Sequence, residues 1–229
     1  MPRLVLISDT HNQHRQLTLP DGDVLIHCGD FTGTGTARQV EDFVDWFVAR
    51  PHPHKVLIAG NHDVTLHASF YERHWRRFHR AREDDAAIRA RLDAHARAGA
   101  LHYLLDREVT AAGLRIYGAP WQPEFCGWAF NLPRGAESAR VWAAVPAGLD
   151  VLVTHGPPLG ALDRVSNGER VGCADLAREV FGRARPRVHA FGHIHESHGA
   201  LDVQGVRCVN ASSCDLSYAP TQAPLVVDL

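Results

Sequence analysis

The sequence has no paired-cysteine motif, no long apolar run and little net charge, and each absence removes a class of protein. Its five cysteines, Cys28, Cys126, Cys173, Cys208 and Cys214, are odd in number and scattered, with no C-x-x-C pair among them. That excludes a small disulfide framework and leaves reduced thiols in a cytoplasmic protein as the expectation. The opening run LVLI passes directly into Asp9 and His11 without a small-residue cleavage site, so it does not read as a signal peptide. No apolar stretch approaches the roughly 18 to 20 residues that a membrane span requires. The formal net charge of −2 supplies no field to draw the molecule to nucleic acid or an anionic membrane. GTGT at 33–36 has no third glycine at the dinucleotide spacing, and neither a G-K-[ST] nor a G-x-S-x-G occurs. Nucleotide-cofactor and serine-hydrolase readings fail on those grounds.

What is present is a chain of 229 residues, 45% hydrophobic, without repeat or linker, which reads as a single domain over 1–229. Nearly continuous apolar runs recur: LVLIS (4–8), VLIHC (24–28), KVLIA (55–59), LRIYG (114–118), DVLVT (150–154) and RVHAF (187–191). Such runs are strands covered on both faces. Helix-like segments at 37–50 and 173–184 lie between them, so the class is α/β. RCVN near residue 208 and the terminal PLVVDL have no helix between them, and a second, more antiparallel sheet is expected to contain them. The Arg-, His- and Ala-rich stretch around 68–99 reads as one or two surface helices with a solvated face, since acids interleave its arginines.

The residues that follow these runs are of one chemical kind. Asp9-Thr10-His11, Gly29-Asp30, Gly60-Asn61-His62-Asp63, His155-Gly156 and Gly192-His193-Ile194-His195 each stand just past a strand. In open α/β sheets the carboxyl ends of strands form the ligand crevice, so carboxylates, an amide and imidazoles gathered there indicate a metal site. Were AFGHIHESHG extended, His193 and His195 would point to one face. The glycines before Asp30, Asn61 and His193 fit tight turns or close backbone approach. Asp9, His11, Asp30, Asn61, His155, His193 and His195 are seven ligands, too many for one tetrahedral zinc and suited to two ions that share a carboxylate. Nitrogen and oxygen donors without thiolate favour Mn, Fe, Zn or Co. Paired ions about 3.5 to 4 Å apart suit in-line phosphoryl chemistry. His27 and Cys28, inside an apolar run, read as core.

The ordered set D-x-H, G-D, G-N-H-D, H-G and G-H-x-H resembles the calcineurin-like metallophosphoesterases from residue 9 to residue 195. SDTHNQHRQL, APWQPEFCGWAFNLPRG, THGPPLGALD, GHIHESHG and VNASSCDLSY resemble their metallophosphoesterase-domain-containing subgroup, which is similar to class III phosphodiesterases. The resemblance implies a four-layer α-β-β-α sandwich of two mixed sheets flanked by helices, with a dinuclear metal site at the strand C-terminal ends. It also implies that Asp9, His11, Asp30 and His195 hold one divalent or trivalent ion, and Asp30, Asn61, His155 and His193 the other, with Asp30 bridging. Manganese is the expected assay metal, with iron or zinc as alternatives. His62 is left over as the expected proton donor to a leaving group, with Asp63 orienting its ring.

The expected activity is hydrolysis of small phosphodiesters of nucleotide type, cyclic nucleotides included, by a hydroxide formed between the ions. A phosphomonoesterase or phosphoprotein phosphatase, and a metal-bearing interaction protein with little turnover, are the alternatives. The expected partner is that small-molecule substrate, with no membrane, no stable nucleic-acid complex and a homodimer as the assembly. Trp121, Phe125, Trp128 and Phe130 crowd one Pro- and Gly-containing loop and read first as loop anchoring, with base stacking at the site rim as the other reading.

Overall fold

A computed structural model describes all 229 residues. The elements run β1 (Arg3–Ile7), β2 (Val24–His27), α1 (Ala37–Val48), β3 (His54–Leu57), α2 (Ala68–Phe78), α3 (Asp85–Arg97) and β4 (His102–Tyr103). Then come β5 (Arg107–Ala111), β6 (Leu114–Ala119), β7 (Gln122–Pro123), β8 (Asn131–Leu132), α4 (Ala136–Ala143) and β9 (Val151–Thr154). After α5 (Ala174–Arg178), with a π-helical extension over Glu179–Ala184, the chain ends in β10 (Val188–Phe191), β11 (Gly199–Val203), β12 (Val206–Asn210) and β13 (Leu225–Asp228).

Two large sheets result, ordered β13-β1-β2-β3-β4 and β11-β12-β10-β9-β6-β5, and β7 and β8 form a separate two-stranded pair. Strand alternation sorts the side chains into three apolar layers. Leu4, Leu6, Val24, Ile26, Val56 and Ile58 of the first sheet meet Ile116, Val151, Val153, Val188 and Val209 of the second. Val5, Ile7, Leu25 and Leu57, on the opposite face, pack under Phe43 and Phe47 of α1, Tyr71 of α2 and Ile88 and Leu92 of α3. Tyr117, Leu152, Phe191 and Cys208 carry the second sheet onto Trp142 of α4 and Leu176 of α5. The order of layers is therefore α-β-β-α, which covers both faces of every central strand.

The antiparallel pairing expected near the C-terminus is distributed differently. β12 runs parallel to β10 and antiparallel only to β11, while β13 crosses to the first sheet and lies antiparallel on β1. Both sheets are thus parallel at the centre, the second with antiparallel strands at both edges and the first with one, β13, since its other edge strand β4 pairs parallel with β3. Parallel strands aim their carboxyl ends the same way, which brings all five polar segments to one rim.

Helix α1 shows how local sequence and packing agree. Thr36 caps it by accepting from the Gln39 N–H at 3.3 Å, and the Gln39 side chain returns to the Thr36 N–H at 3.4 Å. Its buried Val40, Phe43, Val44 and Phe47 follow the helical period and face the sheet. Phe43 stacks on Phe47 and on Phe31, the residue after Asp30, with ring centroids 5.2 and 4.4 Å away. Phe43→Ala is expected to lower unfolding free energy by about 3 to 5 kcal/mol in urea titration, the usual loss for a buried Phe.

Candidate metal centre

The seven expected ligands lie together in the crevice where the ends of the two sheets meet. Asp9 and His11 follow β1, Asp30 follows β2, Asn61 follows β3, His155 follows β9, and His193 and His195 follow β10. Asp9, His11, Asp30 and His193 have positive φ angles of 51°, 41°, 57° and 69°. Left-handed backbone at a non-glycine residue costs on the order of 1–3 kcal/mol and persists where the surroundings impose it. Here they do: the Asp9 N–H donates to the Gly29 carbonyl at 2.9 Å and the His11 N–H to the Asp30 carbonyl at 3.1 Å. Each strand end is thereby turned sharply inward, and the ligand-type side chains converge.

Glycine permits the convergence at two points. A Cβ on Gly60 would lie 2.2 Å from Asp30 Oδ1, and one on Gly192 would lie 2.1 Å from Asp9 Oδ2. Close backbone approach, expected from the sequence, is made to the ligand residues themselves.

The ligand atoms fall into groups. Asp9, His11 and His195 form one, Asp30, His155 and His193 a second, and His11, Asp30 and His62 a third that joins them. Asn61 belongs with the second through Oδ1, 3.0 Å from His155 Nε2. His193 and His195 thus serve different groups, contrary to the single face an extended H-x-H would give. The reason is local: β10 stops at Phe191, His193 is left-handed and His195 opens a 3-10 turn.

Hydrogen bonds at the far side of three rings set their tautomers. His155 Nδ1–H donates to the Cys28 carbonyl at 2.9 Å, His195 Nδ1–H to that of Asp215 at 3.0 Å, and His62 Nδ1–H to that of Gly33 at 2.9 Å. Each Nε2 is left to the crevice. There His195 Nε2 lies 3.3 Å from His11 Nε2 and 3.5 Å from Asp9 Oδ1. Asp9 Oδ1 is buried without a hydrogen-bond partner. Buried nitrogen and oxygen donors converging in this way are the kind of atoms that hold a metal cation.

Charge follows from the same packing. Burial opposes ionisation of Asp9 and Asp30, yet both carboxyls stay well below the usual carboxylate range because His195 lies against Asp9 and His155 and His62 against Asp30. Burial pushes His11 down to about 4 and His193 down to about 3, so both offer neutral imidazoles. His155 and His195 go the other way despite burial, up to about 9, through Asp30 and Asp9 respectively.

Asp63 does not orient His62, as the sequence had suggested. Its carboxylate accepts the N–H groups of Asp30 (3.0 Å), Thr32 (3.0 Å) and Gly60 (2.8 Å), with the Thr32 hydroxyl at 2.7 Å. It ties the loop after β2 to the loop after β3. Part of the crowded aromatic loop is anchored, as the first reading of it had it. Phe130 is buried and Trp121 donates Nε1–H to Asp106 at 2.9 Å, whereas Trp128 stacks on the His62 ring at 4.1 Å and the exposed Phe125 stands over His193. His27 and Cys28 are fully buried core residues.

Sequence reasoning did not single out Ser212, whose hydroxyl donates to Asp9 Oδ2 at 2.8 Å, or Tyr218, whose ring meets that of His11 at 4.7 Å. The only signal was their place in the stretch VNASSCDLSY.

A profile of the calcineurin-like phosphoesterase family matches residues 2–197. The chain belongs to this family. It is 42% identical over 236 residues to human metallophosphoesterase domain-containing protein 1, an alignment covering 99% of this chain and 71% of that protein. A UPF0046 protein of Caenorhabditis elegans is 36% identical over 99% of this chain and 60% of its own length. A solved structure 14% identical superposes with a TM-score of 0.59 over 92% of this chain and 90% of that one, which concerns the fold alone. The family's chemistry is phosphoester hydrolysis, and the phosphoesterase centre has candidate metal-ligand groups in place for it.

Metal loading of chelator-stripped protein is expected to release protons. Ligands bind deprotonated, and at pH 7 to 8 His155 and His195, raised to about 9, still carry theirs. Mn²⁺ affinity should therefore climb with pH up to about 9. Titration in weak buffer with a pH electrode checks this, and pH-independent affinity between 7 and 9 would contradict it.

Proposed function

We propose that the chain is a two-ion phosphodiesterase for small, singly charged diesters, with nucleotide-type diesters and cyclic nucleotides as the substrate class. The observation that carries the diester preference is the charge of the cavity over the centre. This cavity, of about 460 Å³, is lined by Glu124, Glu169 and Glu196, and its one arginine is Arg134. Arg134 is committed to the carbonyls of Gly172 and Val171, at 2.8 and 2.7 Å. A phosphomonoester dianion would find no free cationic side chain for its second charge. A diester monoanion needs none. Phe125 and Tyr218, both exposed and both lining the cavity, supply ring faces for the ester substituents.

Asp9, His11, Asp30 and His195 would hold one ion and Asp30, Asn61, His155 and His193 the other. Mn, Fe, Zn and Co all suit these donors. When bound, the pair offsets charge on the nonbridging phosphate oxygens and acidifies a water for attack on phosphorus. The remaining steps belong to side chains. His62, fixed by the Gly33 carbonyl and the Trp128 ring, turns Nε2 to the crevice, where it would donate the proton to the leaving oxygen. Asp63 keeps the Asp30 and Asn61 loops in register. Phe125 and Tyr218 orient the ester arms. Five free cysteines, four of them buried, support a reducing, cytoplasmic setting, and no helix is long and apolar enough to cross a membrane.

Stripped protein reloaded with Mn²⁺ is expected to cleave a bis-aryl phosphodiester faster than the matching aryl monoester. The reverse order would move the reading to a phosphatase, and negligible turnover on both with two ions bound would favour an interaction protein. His62→Ala is expected to lower kcat by about 10²- to 10⁴-fold, the usual worth of a general acid, while retaining its metal. Metal loss in that variant would make His62 a ligand. Asp30→Ala should lose metal and activity together, and normal metal content in it would rule out the bridge.

A further inference from the structure

The segment from Asn210 to Tyr218 lies beyond the stretch matched by the family profile, which ends at residue 197. It is nevertheless built into the centre. The Ser213 N–H donates to the Ser8 carbonyl at 2.8 Å, which docks the segment beside the end of β1. Its contacts with the ligand residues all fall on one group. Ser212 Oγ–H donates to Asp9 Oδ2 at 2.8 Å, the Asp215 carbonyl accepts from His195 Nδ1–H at 3.0 Å, and the Tyr218 ring lies 4.7 and 5.6 Å from the rings of His11 and His195.

We propose that Asn210–Tyr218 is a strap that sets the metal affinity of the Asp9/His11/His195 half of the centre separately from the other half, with Ser212 as its positioning residue. Asp9 has two carboxylate oxygens, and only one can be turned to a cation without loss if the other is satisfied by the protein. Oδ2 is satisfied by the Ser212 hydroxyl and by the His193 N–H at 2.9 Å. Oδ1 is then left buried and free. Ser212 has little freedom to turn away. It is fully buried, its N–H donates to Asn210 Oδ1 at 3.1 Å, and the Asn210 amide is fixed by donating to the Ile194 carbonyl at 2.9 Å. Ser212 Oγ also lies 2.9 Å from Asn210 Oδ1, and its single proton goes to the charged Asp9 carboxylate, the stronger acceptor. Asp215 is held in turn by its own carboxylate, which accepts the N–H groups of Ser217 and Ala219 at 2.8 and 3.1 Å. The strap thus fixes the rotamer of one ligand and the tautomer of another in the same half. Partners of this kind are typically worth about 10- to 100-fold in metal affinity.

The inference rests on the two-ion reading above, and the test separates them. Mn²⁺ stoichiometry and dissociation constants are measured on the full-length chain, stripped and reloaded, for wild type, Ser212→Ala, Asn61→Ala and the double variant. Wild type should bind two ions. Ser212→Ala should keep one unchanged and weaken the other by about 10- to 100-fold. Asn61→Ala should weaken the ion that Ser212→Ala spares, so the double variant should bind both poorly. Should Ser212→Ala not fold, Tyr218→Leu, at a half-exposed position, is expected to weaken the same single ion. Two ions bound by Ser212→Ala as in wild type, or both weakened alike, would overturn the strap while leaving the two-ion centre intact. A wild-type chain that binds no Mn²⁺ would overturn both.

Discussion

Two carboxylates buried between two sheets are the constraint around which the rest of the molecule is arranged. Asp9 and Asp30 sit where solvent cannot reach them, and a bare buried carboxylate is costly enough that it would normally take up a proton. Imidazoles against both, and backbone N–H groups on one oxygen of each, hold them ionised instead. The positive φ angles, the glycines without room for a Cβ and the carbonyls behind His155, His195 and His62 all serve to bring those partners in. Packing stabilises the arrangement from below, since Phe31 joins Asp30 directly to the α1 aromatic stack.

The chemistry follows from what such a cluster does when cations enter it. Neutral imidazoles at His11 and His193, charged ones at His155 and His195, and two carboxylates make a site whose charge state differs between its empty and loaded forms. Above it the cavity is acidic and aromatic, so the fold supplies donors for cations below and a ring-faced vestibule poor in free cationic side chains above. His62 stands between the two regions, stacked on Trp128, without a fixed partner at Nε2.

Much of this was legible in the sequence because it is carried by side-chain type and by strand-length apolar runs. The central strands announce themselves through continuous burial, and the ligands through their recurrence just past each run. What stayed hidden was set by backbone and by tertiary choice. The parting of His193 from His195 depends on a left-handed residue that no local pattern requires. The pairing of β13 with β1 depends on the return path of the chain, not on the sequence PLVVDL. Asp63 neighbours His62 in sequence, but three backbone N–H groups and a hydroxyl claim its carboxylate. The carbonyls of Gly33, Cys28 and Asp215 have no side-chain signature at all.

The crevice lies between the sheets, and each half of the centre draws on both. Asp9 and His11 come from the first sheet and meet His195 from the second; Asp30 and Asn61 come from the first and meet His155 and His193 from the second. Neither sheet carries a complete half by itself. A slide of one sheet over the other by even an ångström would open both halves at once. The close-packed layer of Leu4, Ile26, Val153 and Val188 between them is in effect the ruler that spaces the ligands. An ion bound across that layer rivets it, so the grip on metal and the fit of the two sheets become one property measured in two ways.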